Sequence, residues 1–338
     1  MRLTPRIATL AATLALGLFA APVRAQDLTP HQKVIIDTDI GDDIDDVFAL
    51  GLALSSPQLD ILGISSAWGD TTLRTRMIDR LLCETGRQSI PSVTGISKTG
   101  PGAGEFSQRP WAAAGPNPDP AHPHPDSVPF LLDQIRANPG QITLLALGPL
   151  TNIGAAIDRD PATFRKLKRV VLMGGSIRRG YDDGFHLTPP TAEYNIAMDP
   201  AAAQKLFHAG VSIYMMPLDS TQLRFDETKR SLLASISTPL TDSIQVLTAE
   251  YTHVTQHQTP TMFDPVAAAY AIDPHTCPTT PLHIEVDDQG NTRATPGTPN
   301  AQVCLEPHEQ AFFQLLLPAL LNQHMTGTQA CVAPNPTH

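Results

Sequence analysis

The sequence is poor in cysteine, in basic clusters and in long apolar runs, and each shortage closes off a class of protein. Only four cysteines occur in 338 residues. None has the C-x-x-C spacing of a zinc site. Cys83 lies in the helical pattern "MIDRLLCETG" and is expected to be buried and free. Cys277 and Cys304 flank "PLHIEVDDQGNTRATPG", which reads as a hairpin. With Cys331, three pairings are open if all four bridge, and Cys277–Cys304 is the pair favoured in an oxidising compartment. Lys and Arg total 23 against 33 Asp and Glu, a formal charge of −10 with no basic run. That balance offers no phosphate footprint and points away from nucleic acid, toward a small polar ligand or a cation. Beyond the N-terminus no stretch is long and apolar enough to cross a membrane. Neither an internal repeat nor an interdomain linker is visible.

The first residues are set apart from the rest. Arg2 and Arg6 precede "IATLAATLALGLFAA", and "VRA" precedes Gln26. A charged start, an apolar centre and small residues before a cleavage point describe an export signal. Residues 1–25 are therefore expected to be removed. The mature protein would then be periplasmic or secreted, with no stable membrane insertion. A single domain is expected from 29 to 327, followed by a flexible tail from 328 to 338.

Strand and helix patterns alternate through that domain. "KVIIDTD", "LDILGISSAW", "ITLLALG", "RVVLMGG" and "VSIYMMPLD" are apolar, β-branched strand candidates. Between them lie the helical patterns "DDVFALGLALSS", "TTLRTRMIDRLLCETG", "PLTNIGAAIDRDP" and "DPAAAQKLFHAG". Continuous apolar strands separated by helices predict an α/β fold with a mostly parallel central sheet flanked by helices. The Gly- and Pro-rich segment from Ser97 to Pro129 and the segment "GSIRRGYDDGFHLTPPTAEYN" read as long loops.

The chemistry concentrates in "VIIDTDIGDDIDDVFAL", where Asp37, Asp39, Asp42, Asp43, Asp45 and Asp46 follow directly on a buried strand. In an open parallel sheet, ligands bind beyond the carboxyl ends of the strands. At ~4 Å and an effective dielectric near 20, each pair of carboxylates repels by ~4 kcal/mol. The cluster must be solvated, share protons or hold a hard cation. An EF-hand is excluded, because Asp42 stands where that loop needs Gly and Phe48 where it needs Glu. Oxygen ligands without nearby His or Cys favour Ca²⁺ or Mg²⁺ over zinc.

This stretch resembles the signature of the inosine-uridine preferring nucleoside hydrolases, with two residues inserted between Gly41 and the final aspartate pair. The likeness continues through "ALGPLTNIGAAI", "VVLMGGS", "AEYNIAMDPAAA" and "FDPVAAAYAIDP", in order along nearly the whole chain. The resemblance implies a nucleoside-hydrolase-like single domain that cleaves the N-glycosidic bond of ribonucleosides with the help of Ca²⁺. It implies Asp39, Asp46, Asp264 and the carbonyl of Leu147 as calcium ligands, with Asp39 also the general base. Asp45, Glu193 and Asn195 would hold the ribose hydroxyls, and Asp37 would orient the loop. Asp42 and Asp43 belong to the inserted form and receive no role.

Three departures from the family pattern stand out, one at the leaving group and two at the sugar. Phe263 stands where the family has a His that helps the base leave, and Asp70 stands where an Asn often holds the sugar. Tyr181 falls where an Asn is expected. Tyr251, His253 and His257 precede Asp264 on a helix-like run that would put the two His on one face. With Phe263, Tyr181 and Trp111 they are the candidate contacts to the base or leaving group. Besides a nucleoside hydrolase, the sequence admits an exported, non-catalytic protein that binds calcium and a ribosyl ligand. A dehalogenase-type phosphatase built on Asp37 and Asp39 is disfavoured, since Gly41 replaces the Thr or Val that it needs. The reading leaves room for a homo-oligomer.

Overall fold

The computed structural model describes residues 31–100, 103–104, 106–115, 123–182 and 188–327. The expected export signal and C-terminal tail lie outside these residues. Nine strands form one sheet: β1 (Gln32–Thr38), β2 (Leu59–Ser66), β3 (Ser92–Val93), β4 (Thr143–Ala146), β5 (Arg169–Met173), β6 (Ile213–Met216), β7 (Thr279–Val286), β8 (Thr292–Thr295) and β9 (Ala301–Cys304). Their order is β3-β2-β1-β4-β5-β6-β9-β7-β8. All are parallel up to β9, and β7 and β8 close one edge as an antiparallel hairpin. The fold is α/β with a mostly parallel sheet flanked by helices, as the alternation predicts.

Alternation along the strands divides the core. Val34 and Ile36 of β1 face one layer with Leu145, Val171 and Met216, under the helices Asp45–Leu54, Pro239–Thr255, Phe263–Ile272 and Glu309–Leu321. Ile35 faces the other layer with Leu144, Leu172 and Met215, under the helices Ser127–Ala137, Thr151–Arg159 and Pro200–His208. Every residue of Asp45–Leu54 is buried, and the helix packs on Phe263–Ile272. No helix among the described residues is long and apolar enough to cross a membrane.

β1 pairs with β2 on one side and β4 on the other, so the strand order reverses there. The crevice at such a reversal is where open α/β sheets bind ligands. The aspartate stretch leaves β1 at this point, and Leu147 leaves β4 beside it, its N–H bonded to the Asp37 carbonyl at 2.8 Å.

Two expectations about the periphery change. The Pro-rich segment contains a short helix, Arg109–Ala113, started by Pro110. Cys83 is half-buried and disulfide-bonded, not free. The favoured bridge, Cys277–Cys304, is present and ties the chain two residues before β7 to the end of β9. It closes a loop of 27 residues, for which chain entropy gives about 3–4 kcal/mol. Replacing Cys277 and Cys304 together by Ala is expected to lower unfolding free energy by roughly that amount. Guanidinium denaturation would show it as a lower midpoint, with a slope at or above the parent's because the unbridged denatured chain exposes more surface, and a midpoint equal to the parent's would refute it.

Candidate active site

The aspartate loop is shaped before any ligand enters. Gly41 has φ +126°, and a Cβ there would lie 2.4 Å from the Phe106 ring, so only glycine fits. Thr38 donates its hydroxyl to Asp46 and accepts from the Ile40 N–H. The inserted residues are held through their backbone. Ser107 donates to the Asp42 carbonyl, and Gln108 donates to the carbonyls of Asp43 (2.9 Å) and Asp42 (3.3 Å). The first half of the Pro-rich segment is thus a clamp on the aspartate loop.

Asp45 and Asp46 open one helix, Asp264 opens another, and each is only 3 % exposed. An oxygen from each lies within 4.8 Å of the others. The Asp264 N–H donates to Asp45 at 2.9 Å. Burial, then neighbouring carboxylates, pushes all three well above the usual carboxylate range. Asp39 is pushed up to about 6 by burial, with Arg74 opposing and Asp42 reinforcing the shift. Asp43 rises to about 7, again chiefly through burial. Asp39 lines the same cavity but lies outside the tight group of three. Asp45, expected on the sugar, sits with the expected cation ligands.

Arg74 escaped the sequence reading. It is fully buried, stacks 5.0 Å from the Phe106 ring centroid, and donates to the carbonyls of Trp68 (3.0 Å), Ile40 (2.9 Å) and Asp39. Its charge eases ionisation of Asp39 and Asp46. The signal was present: Arg74 shares an apolar helix face with Ile78 and Leu81, where a guanidinium needs a reason.

Beneath the loop, Asp37 accepts from Ser65 and from Asn152 (2.8 Å). Burial raises it to about 7. Its contacts fix β1 to β2 and to the helix Thr151–Arg159, in keeping with an orienting part. At the end of β4, a Cβ on Gly148 would lie 2.7 Å from Asp39 Oδ1, a close approach that the bare glycine permits. The Leu147 carbonyl accepts from the Asn195 amide at 2.9 Å, and its second lone pair remains for a cation.

Glu193 caps the helix Tyr194–Ala197 and is locked by three backbone N–H groups, those of Asn195 (2.9 Å), Ile196 (3.2 Å) and Gly175 (2.9 Å). Burial raises it to about 7. Asp219, buried at another strand end, accepts from the N–H groups of Ile177 and Arg178 and so shapes the loop after β5.

These elements enclose a cavity of about 220 Å³ lined by Asp39, Asp42, Asp43, Asp45, Asp46, Leu147, Met173, Tyr181, Glu193, Tyr194, Asn195, Phe263 and Asp264. None of the lining residues is Lys, Arg or His. Phe263 and Tyr181 meet edge to face, 6.2 Å between centroids. A second cavity shares Asp43, Tyr181 and Phe263 with the first and is also lined by Tyr251 and His257.

Three candidates fall outside. Asp70 is exposed and caps the helix Thr71–Glu84 through the Leu73 N–H at 3.1 Å. Trp111 is buried under Arg80, 4.1 Å from its ring centroid, and borders a separate surface depression. His253 is exposed and lines neither cavity. Nor do the two His share a helix face: Gln256, at φ 63°, ends the helix at Thr255 and turns His257 away.

The sequence profile of the family described as inosine-uridine preferring nucleoside hydrolase matches residues 34–314. The chain is 28% identical over 312 residues to the pyrimidine-specific ribonucleoside hydrolase RihA of Citrobacter koseri, covering 84% of this chain and 96% of that protein. It is 35% identical over 201 residues to the probable uridine nucleosidase 2 of Arabidopsis thaliana, covering 56% of this chain and 60% of that protein. The match to the uncharacterized protein C1683.06c of Schizosaccharomyces pombe, 36% identical over 207 residues, likewise takes in 59% of this chain and 64% of that protein. Against these last two relatives, then, the chain spans about three fifths of their length. Among solved structures, a plant nucleoside hydrolase, the PpNRh1 enzyme, superposes with a TM-score of 0.73 at 26% identity, covering 87% of this chain and all of that one. Profile, relatives and fold agree with the geometry: the chain belongs to the inosine-uridine preferring nucleoside hydrolase family.

Proposed function

We propose that the protein hydrolyses the N-glycosidic bond of ribonucleosides, releasing ribose and the free base, with Ca²⁺ as its cation. The observation that carries this reading is a cavity walled by buried carboxylates with no cationic side chain among its lining residues. Such a wall suits a bound cation and, beside it, a reaction that develops positive charge on a sugar. The donor set fits a hard cation: Asp45, Asp46 and Asp264 converge within 4.8 Å, and the Asp39 carboxylate and Leu147 carbonyl line the same space. A calcium ion held there would acidify a water and grip vicinal sugar hydroxyls.

The chain's own groups do the remaining work. Asp39 takes a proton from the attacking water. Glu193, fixed by three N–H groups, and Asn195 hold sugar hydroxyls and so set the anomeric carbon against that water. The surrounding carboxylates favour the oxocarbenium-like transition state over the neutral ground state. Phe263 motivates the rival reading of a non-catalytic ribosyl-binding protein, and a ribose-release assay separates the two. Activity on uridine and inosine is expected, lost in chelator and restored by Ca²⁺. Asp39→Asn is expected to lower kcat by ~10²–10⁴-fold with the fold retained by circular dichroism. Parent protein that releases no ribose with Ca²⁺ present would overturn the hydrolase reading.

Gly148 offers a second test. Its Cβ would press on Asp39, 2.7 Å from Oδ1 and 2.9 Å from the backbone nitrogen, and a misplacement of about 1 Å costs ~10²-fold in rate. Gly148→Ala is expected to lose about that factor in kcat/KM while remaining folded, and parental activity would show that Asp39 tolerates the displacement.

We also infer export, from the charged and apolar N-terminal pattern and from disulfides at Cys83 and Cys277–Cys304, which belong to oxidising compartments. N-terminal sequencing of the recovered protein is expected to return Gln26, and a Met1 product in the cytosol would contradict it.

A further inference from the structure

A neutral base leaves a sugar slowly unless a proton reaches it, and a positioned donor is worth ~10²–10⁴ in rate. Of the carboxylates that line the sugar cavity, Asp39, Asp45, Asp46, Asp264 and Glu193 are assigned to the water, the cation and the hydroxyls; Asp42 and Asp43 have no assigned part, and Phe263, on the same wall, has no proton to give. Tyr181 and Tyr194 bring hydroxyls to the sugar cavity, but tyrosine is a weak acid near neutral pH, and the imidazole of His257 lies in the adjoining cavity. That second cavity meets the sugar cavity across Asp43, Tyr181 and Phe263 and is lined by both Tyr251 and His257. The Tyr251 hydroxyl stands 3.5 Å from His257 Nδ1, at the outer limit of a hydrogen bond, with the rings edge to face at 6.4 Å. This contact depends on the left-handed turn at Gln256. There the helix ends with the Gln256 N–H on the Thr252 carbonyl (3.0 Å), and the His257 N–H bonds the Thr255 hydroxyl (3.2 Å). A continued helix would carry His257 on past Tyr251; the turn sets it back beside that ring.

On the hydrolase reading above, we propose that His257 is the general acid for the departing base and that Tyr251 is its positioning residue. Histidine carries an exchangeable proton near neutral pH, and the hydrogen bond at one ring nitrogen decides what the other does. As the imidazolium, His257 gives its Nε2 proton to a base nitrogen while the glycosidic C–N bond breaks and its electron pair passes to the base. The neutral ring keeps its Nδ1 proton directed at the Tyr251 oxygen. Water then adds to the anomeric carbon and yields its proton to Asp39. His257 has lost one proton and Asp39 has gained one, and exchange with solvent restores both.

The test compares uridine and inosine with p-nitrophenyl riboside, whose leaving group needs no proton. His257→Ala is expected to lower kcat for the two nucleosides by ~10²-fold or more and to leave p-nitrophenyl riboside within about threefold of the parent. Tyr251→Phe keeps the ring and removes only the hydroxyl. It is expected to lower kcat for the nucleosides by about tenfold at unchanged KM, and to spare the activated substrate. His253→Ala, outside both cavities, serves as the control and should match the parent on all three. Equal losses on nucleoside and activated substrate would mean that His257 acts in binding or folding and would overturn the assignment, as would no loss on either. A parent active on p-nitrophenyl riboside but with undiminished nucleoside activity in His257→Ala sinks only this inference. A parent inactive on every riboside sinks the hydrolase reading with it.

Discussion

Negative charge buried at the carboxyl end of β1 is the constraint around which the fold is arranged. Carboxylates a few ångströms apart repel by several kcal/mol even at an intermediate dielectric. The chain relieves part of that with backbone N–H groups, with the N-termini of two helices and with the buried guanidinium of Arg74. The relief is partial, because burial still holds Asp39, Asp45, Asp46 and Asp264 above the ordinary carboxylate range. On the proposed function, a site so biased would accept positive charge either as a bound ion or as the charge that grows on a sugar while a bond breaks. Stability is conceded at one spot, and that spot gains its chemistry.

The topology makes the arrangement feasible. Asp45 and Asp264 are 219 residues apart yet joined by a hydrogen bond. They meet because both open helices of one buried layer above β1 and β4, beside the reversal of strand order. Helix starts therefore fix Asp45, Asp46 and Asp264, whereas Asp43, Tyr181 and His257, which face the second cavity, come from loops.

How much was legible in the sequence follows the same division. Apolar strands and helical patterns such as "DDVFALGLALSS" and "DPAAAQKLFHAG" announce themselves, because hydrophobic period is a local property. Arg74 did not, since its meaning comes from Phe106 and from carbonyls on the neighbouring loop. β9 was missed because "AQVC" is four residues without a distinctive pattern. His253 and His257 misled because spacing assumes an unbroken helix, and one left-handed residue, Gln256, cancels the assumption. Asp70 and Trp111 are strand-end and loop residues whose side chains went to a cap and to an arginine stack. Cys83 was misjudged for a related reason: the helical pattern around it says nothing about a thiol partner distant in sequence.

The two margins of the sheet carry a different consequence. A nine-stranded sheet exposes two edges, and unpaired edge strands recruit other chains. Here one edge is β3, only two residues long. The other is β8, "TRAT", whose Arg293 bonds Asp287 at 3.2 Å. Neither offers a long apolar template. The hairpin that carries β8 is fastened at the start of β7 by Cys277–Cys304, which keeps that end of the polar margin beside β9 and its buried Val303. By tying the margin down at one end, that bridge would oppose edge-to-edge pairing as well as unfolding.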